Sequence, residues 1–141
     1  MTVYVDSSVL LRIVLGEPDP LRAWRRITRP VSSEVIRLEC LRTIDRARLV
    51  RRIRDEDVAE RRAAVLEQLE AFALVKLDTR VLERAADPFP TALSSLDAVH
   101  LASALLARGA MGDLTLATHD GGLATAARAV GFRVTGIPGR A

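Results

Sequence analysis

Short β-rich runs alternate with longer stretches of helical spacing along this chain. Val3-Tyr4-Val5 predicts a first strand that ends at Asp6-Ser7-Ser8. Either serine can cap the helix that follows through Leu15, and Gly16 closes it. Asp19-Pro20 predicts a second helix, to about Arg29, because Asp suits an N-cap and Pro the first helical position; Pro30 stops it. Val31-Ser32 predicts a very short strand. Ser33 then caps a helix with Glu34 in its first turn and with Val35, Leu38, Leu41 and either Ile44 or Asp45 at helical spacing. Asp55-Glu56-Asp57 opens the next helix, to about Ala73, whose apolar Val58, Val65, Leu66, Leu69 and Phe72 lie mainly on one face. Between these two helices, Arg48 to Arg54 predicts a basic, solvated connection.

The second half repeats the alternation. Leu74 to Leu77 predicts a strand, Asp78 caps a short helix from Thr79 to Ala86, and a loop carries Pro88 and Pro90. Ser94 or Ser95 caps a helix from Leu96 to Ala107 that Gly109 ends. Leu114 to Ala117 is a further strand, a helix from about Gly122 to Val130 stops at Gly131, and Phe132 to Thr135 is the last strand. Strands separated by helices imply right-handed crossovers. The expected fold is α/β: a single domain over residues 1–141, with a central parallel sheet of four to five short strands and helices on both faces.

Composition narrows the class. With 141 residues, 49% hydrophobic and 28% charged, the chain suits one globular domain and excludes wholesale disorder. No apolar run approaches the ~20 residues of a membrane span, and Arg12 interrupts the best candidate, Val9 to Leu15. MTVYVDSS lacks the basic-then-apolar pattern of a signal peptide, so a cytoplasmic protein is expected. One cysteine, Cys40, excludes an intrachain disulfide framework and any multi-cysteine metal cage, and reads as a small buried hydrophobe. Lys76 is the sole lysine among 21 basic residues, and the formal net charge is +3. That Arg excess is compatible both with a polyanionic partner and with a GC-rich genome.

Four acids stand in informative places. Asp6 follows the first strand directly. Glu39 borders the apolar face of its helix, Asp97 occupies the first turn of a very apolar helix, and Asp120 follows the Leu114 to Ala117 strand. In an open parallel sheet, ligands bind beyond the carboxyl ends of the strands, where crossover helices begin. Asp6, Asp97 and Asp120 converge there, and Glu39 can join them. Gathered carboxylates repel and call for a cation, and oxygen donors without His or Cys cages favour Mg²⁺ or Mn²⁺. Such sites cleave phosphodiesters. Each acid also has a plainer role: Asp6 as a helix cap, Asp97 as a first-turn acid, Asp120 as a turn residue before Gly121-Gly122, and Glu39 as a partner of an Arg such as Arg42.

The ordered set Val3-Tyr4-Val5-Asp6-Ser7-Ser8, Ser33 to Glu39, Leu96 to Ala104 and Leu116-Ala117-Thr118-His119-Asp120 with Leu123 resembles the PIN-domain ribonucleases, and within them the VapC-type toxins of toxin–antitoxin pairs. The resemblance covers essentially the whole chain. It implies an endoribonuclease dependent on Mg²⁺ or Mn²⁺, with Asp6 and Asp97 as principal metal ligands and Glu39 and Asp120 completing the acidic site. Thr118 would orient a carboxylate or a water, and Ser7 or Ser8 would either assist or cap the first helix. His119 reads as a loop residue and His100 as a packing or helix-surface residue. The same resemblance implies an RNA substrate, a homodimer, and inhibition by a cognate antitoxin whose C-terminal segment lies in a groove. Leu11, Val14, Leu15 and Trp24 would line that groove or a dimer face, or else belong to the core.

Two other enzyme classes on similar architecture match the chain poorly. An aspartate-nucleophile phosphatase needs a second Asp two residues after the first, where this chain has Ser8; a phosphotransfer receiver needs a late Lys, and Lys76 is misplaced for it. A non-catalytic PIN-fold module for binding RNA or protein is the remaining alternative, against which stands the presence of all four acids. The RNA itself is not encoded in any readable loop motif.

Overall fold

The computed structural model describes residues 1–51 and 53–138. It contains five parallel strands, β1 (Thr2–Val5), β2 (Arg29–Ser33), β3 (Ala73–Val75), β4 (Thr115–Ala117) and β5 (Arg133–Thr135). Six α-helices accompany them among the described residues: α1 (Ser7–Val14), α2 (Val35–Arg51), α3 (Asp55–Leu69), α4 (Thr79–Ala86), α5 (Ser95–Met111) and α6 (Gly121–Ala129). The strand order is β3-β2-β1-β4-β5. Tyr4 pairs with Val31 of β2 on one side and with Leu116 of β4 on the other.

The alternation of side chains along β1 divides the core. Tyr4, with Val31 and Leu116, faces Leu101 and Ala104 of α5 and Leu123 and Ala127 of α6. Val3 and Val5 face the opposite way and meet Val9, Leu21 and Ala23. Beyond them Leu10, Ile36, Cys40, Ile44, Val58 and Val65 knit α1, α2 and α3 together. The sheet is thus covered on both faces, as a parallel sheet requires. Leu11, Val14, Leu15 and Trp24 are partly buried against the α1–α2–α3 cluster, as the core reading has it, while Leu11 and Leu15 also line a groove, as the other reading has it.

Several local expectations fail, each for a physical reason. The helix predicted from Asp19 to Arg29 does not form; only a 3₁₀ turn at Trp24–Arg26 does. Leu21 and Ala23 are both buried, two residues apart, a spacing a helix cannot bury on one face. Thr28 and Arg29 then donate to the Met1 carbonyl and draw the chain alongside β1. β2 consequently starts before Pro30 and is longer than expected, with Pro30 lying ahead of the stretch paired to β3. The basic segment is solvated as expected, with Arg48 and Arg54 exposed, but it is not all connection: α2 runs to Arg51, and Arg48 pairs with Asp55 at 3.6 Å and Arg54 with Asp57 at 3.5 Å. Arg52 and residues 139–141 lie outside the described residues. Helix α3 stops at Leu69, so Phe72 packs from the turn beyond it, and β3 ends at Val75 rather than Leu77. Gly109 does not end α5, because Met111 still packs on the core; Gly112, at φ +85°, ends it.

Candidate active site

The chain runs outward from β1 to β2 and β3, then returns to the other side of β1 as β4 and β5. The strand order therefore reverses between β1 and β4, and the carboxyl ends of those two strands flank the position where open α/β sheets bind ligands. Asp6 follows β1 and Thr118 follows β4. The Asp6 amide donates to the Ala117 carbonyl at 3.2 Å, holding the two strand ends together.

Asp6, and not Ser7 or Ser8, is the N-cap of α1. Its Oδ1 accepts from the Val9 amide at 3.2 Å and from the Ser8 hydroxyl at 2.6 Å, and its Oδ2 accepts from the Thr118 hydroxyl at 2.5 Å. The carboxylate that caps α1 is thus the same one that Thr118 reaches from the end of β4. Asp6 is only 3% exposed. Burial raises its pKa above the ordinary 3.8, and the donations from Ser8 and Thr118 pull the other way.

Asp97 stands in the first turn of α5, whose N-cap Ser94 accepts from the Asp97 amide at 3.3 Å. Its carboxyl is half-buried and its pKa is raised, first by burial and then by the charges of Asp120 and Asp6. Asp120 is the N-cap of α6, accepting from the Leu123 amide at 2.9 Å, and its own amide donates to Thr118 Oγ1 at 3.0 Å. Three acids from β1, α5 and the β4–α6 junction therefore share one electrostatic environment.

Glu39 reaches the same end of the sheet from α2. The Ser7 hydroxyl donates to its Oε2 at 3.1 Å and His100 Nε2 lies 2.5 Å from its Oε1. The alternative pairing with Arg42 does not occur, since Arg42 pairs with Asp45 at 3.6 Å. His100 is not a helix-surface residue: it is 1% exposed and also contacts the Tyr4 hydroxyl at 2.7 Å. His100 and Tyr4 lie outside the expected site residues, and of the two roles expected for Ser8 it is the assisting one that the structure favours, through its bond to Asp6. The signal for His100 was its place one turn after Asp97, and for Tyr4 its place two residues before Asp6 on the strand. His119 is held at the rim, its amide donating to Ser8 Oγ at 2.9 Å and its Nδ1 lying 2.7 Å from the Gly136 carbonyl. Cys40 is buried beside Glu39, and its thiol pKa is pushed up to about 12 by burial and by the Glu39 and Asp6 charges, which makes it inert at neutral pH.

Among the described residues, no three His, Cys, Asp or Glu side chains stand close enough to enclose an ion unaided. Mg²⁺ does not require such a cage: it keeps several waters and is held through one or two carboxylates and substrate phosphates. The hard oxygen donors of Asp6 and Asp97, with Asp120 nearby, suit that mode; both oxygens of Asp6, like both of Glu39, already accept or contact hydrogen-bond partners that hold the carboxylate in place.

Beside Ser8, α1 and α2 frame a groove of about 360 Å³ whose lining includes Leu11, Arg12, Leu15 and Arg46. Among the described residues no helix is long and apolar enough to cross a membrane.

The family model described as "PIN domain" matches residues 3–129. The chain is 35% identical over 136 residues to "Ribonuclease VapC46" of Mycobacterium tuberculosis, covering 94% of this chain and 95% of that protein. It is 30% identical over 139 residues to "Ribonuclease VapC47" of the same species, covering 97% of each chain.

Proposed function

Since the chain belongs to the PIN-domain family, we propose that it is a metal-dependent endoribonuclease, the toxin of a toxin–antitoxin pair, working in the cytoplasm on RNA. The observation that carries this reading is the shared environment of Asp97, Asp120 and Asp6 where the strand order reverses. Carboxylates gathered in this way repel one another and favour a cation among them. The names of the two mycobacterial relatives support the ribonuclease class.

In this reading Asp6 and Asp97 hold Mg²⁺ or Mn²⁺, with Glu39 and Asp120 completing the acidic site. The bound ion supplies Lewis acidity toward a phosphoryl oxygen and offsets the negative charge of phosphate. Thr118 and Ser8 orient the Asp6 carboxylate by donating to its two oxygens. Ser7 does the same for Glu39. Asp120, exposed at the start of α6, faces the side from which RNA approaches. An antitoxin segment fits the groove beside Ser8, where Leu11 and Leu15 offer apolar contact, and its presence there would cover the approach to Asp6. The active form is a homodimer, as in the family the chain resembles.

RNA cleavage by the purified protein tests the assignment. Activity should require Mg²⁺ or Mn²⁺, vanish in chelator, and drop on the order of 10²-fold or more in Asp6→Asn and Asp97→Asn. Full activity in chelator or in Asp97→Asn refutes it, and RNA binding without cleavage under every condition points instead to a non-catalytic binding module.

A further inference from the structure

Tyr4 is the sole tyrosine of the chain and is fully buried in the sheet. A buried phenol needs a partner, and burial also keeps this one protonated by raising its pKa. The phenol oxygen lies 2.7 Å from Nδ1 of His100, and a protonated phenol donating there makes Nδ1 the acceptor. With Nδ1 accepting, the ring carries its proton on Nε2, which faces Glu39 Oε1 at 2.5 Å. Ser7 supplies the donor to the other Glu39 oxygen. The row Tyr4–His100–Glu39 therefore leaves every ring and carboxylate atom with a partner. It also spans three elements: Tyr4 is on β1, two residues before Asp6; His100 is on α5, one turn after Asp97; Glu39 is on α2.

A packing role alone does not account for the row. The Glu39 side chain is 13% exposed, and the nitrogen nearest its Oε1 among the described residues belongs to His100 rather than to an arginine. In this arrangement the carboxylate's direction is set by the strand and the helix that carry Asp6 and Asp97. Resting on the nuclease reading above, we propose that His100, anchored by Tyr4, is a positioning residue that fixes the Glu39 carboxylate in the active site.

Two substitutions separate the ends of the ring. His100→Gln places an amide donor where Nε2 was, whereas His100→Asn matches the Nδ1 end and leaves Glu39 without its donor. Cleavage of RNA by the intact chain with Mg²⁺ is measured per folded molecule, with melting temperatures taken for every variant. His100→Asn is expected to lower kcat by about 10–100-fold with KM little changed, as losses of such supporting partners do. His100→Gln should recover most of that loss, and Tyr4→Phe should show a smaller drop of the same kind. Glu39→Ala should be at least as impaired as His100→Asn, and the double variant no worse than Glu39→Ala alone, because one residue acts through the other.

Equal activity of the Asn and Gln variants, or losses that multiply in the double variant, would overturn the proposal. So would a Glu39→Ala protein with full activity while Asp97→Asn is inactive, a result that leaves the nuclease reading intact. If Asp97→Asn is active as well, it is the nuclease reading that fails. A second measurement needs no activity and no stable His100 variant. The chain has only 2 histidines, so ¹H–¹⁵N spectra of the imidazoles in the metal-free protein identify the tautomers directly. The Nε2–H form of His100, with a signal displaced by Glu39→Gln, is expected; the Nδ1–H form overturns the arrangement.

Discussion

The hydroxyl of Thr118 donates to Oδ2 of Asp6 at 2.5 Å, joining residues 112 positions apart in the chain. Thr118 Oγ1 in turn accepts from the Asp120 amide at 3.0 Å. One buried hydroxyl thereby ties the first acid of the site to the last, and it sits where β4 ends beside β1.

Thr118→Val retains shape and removes that donor. Hydrogen bonds to charged groups contribute about 1.5–3 kcal/mol, so unfolding in urea should register a loss of that order. RNA cleavage should fall with it, and Thr118→Ser should restore both. A valine variant as stable and as active as the wild type would show that the hydroxyl has no such role.

The raised pKa values of Asp6 and Asp97 make the metal-free protein's stability depend on pH. A carboxyl with a raised folded-state pKa binds its proton more tightly folded than unfolded. Its contribution is fully present below the ordinary value of 3.8 and is lost as pH rises through the higher folded value. At neutral pH both charges are therefore a burden on the metal-free fold. Asp97→Asn should raise the melting temperature there and flatten the decline between acid and neutral pH. The opposing expectation, that Asp97 merely favours the helix N-terminus, predicts a loss of ~0.3–1 kcal/mol instead.

Mn²⁺ should reverse that burden. An ion that binds only the folded state stabilises it by about 2.7 kcal/mol at a hundredfold excess over its dissociation constant. Thermal melts should show this shift in the wild type and much less of it in Asp97→Asn. Equal shifts in the two proteins would place the ion elsewhere.

Gly136 has φ +105°, and a Cβ there would run into the Thr118 carbonyl. Gly136→Ala should lower stability by about 1–3 kcal/mol and reduce cleavage, because the displaced backbone carries the Thr118 hydroxyl. Denaturation and activity measured together check this; a destabilised variant with unchanged activity per folded molecule would separate Gly136 from the site.

Arg46 is exposed on α2 and lines the groove beside Ser8. If RNA phosphates pass there, affinity of the inactive Asp97→Asn protein falls steeply with salt, and adding Arg46→Ala lessens the slope by about 1. An unchanged slope would move the phosphate path to the exposed Arg22, Arg25 and Arg29.

The alternation of strands and helices was legible because apolar period and caps agree: Asp78 and Ser94 cap the helices they were expected to cap. The placement of Asp6, Asp97 and Asp120 followed from strand ends and crossover geometry. The segment after Asp19 was not legible. Its cap and proline favour a helix locally, while burial of Leu21 and Ala23 and the pairing of Arg29 with Thr2 favour the extended path, and tertiary contacts prevailed. The job of His100 was equally hidden. A histidine on an apolar helix becomes informative only when the residues opposite it are known, and Tyr4 and Glu39 lie 96 and 61 positions away.

The position of β1 also sets when the site comes into being. Of the five strands this one is made before the others but lies in the middle of the sheet, with β2 on one side and β4 on the other. β2 follows closely, at Arg29–Ser33, whereas β4 lies at Thr115–Ala117. Until that last stretch emerges, one edge of β1 has no strand beside it and Asp6 lacks its Thr118 donor. Ordering the strand end before then would incur the entropy of closing a very long loop. A chain that stops short of β4 thus holds Asp6 and Glu39 without the means to arrange them, and the candidate site is assembled only once β4 and Thr118 have been made.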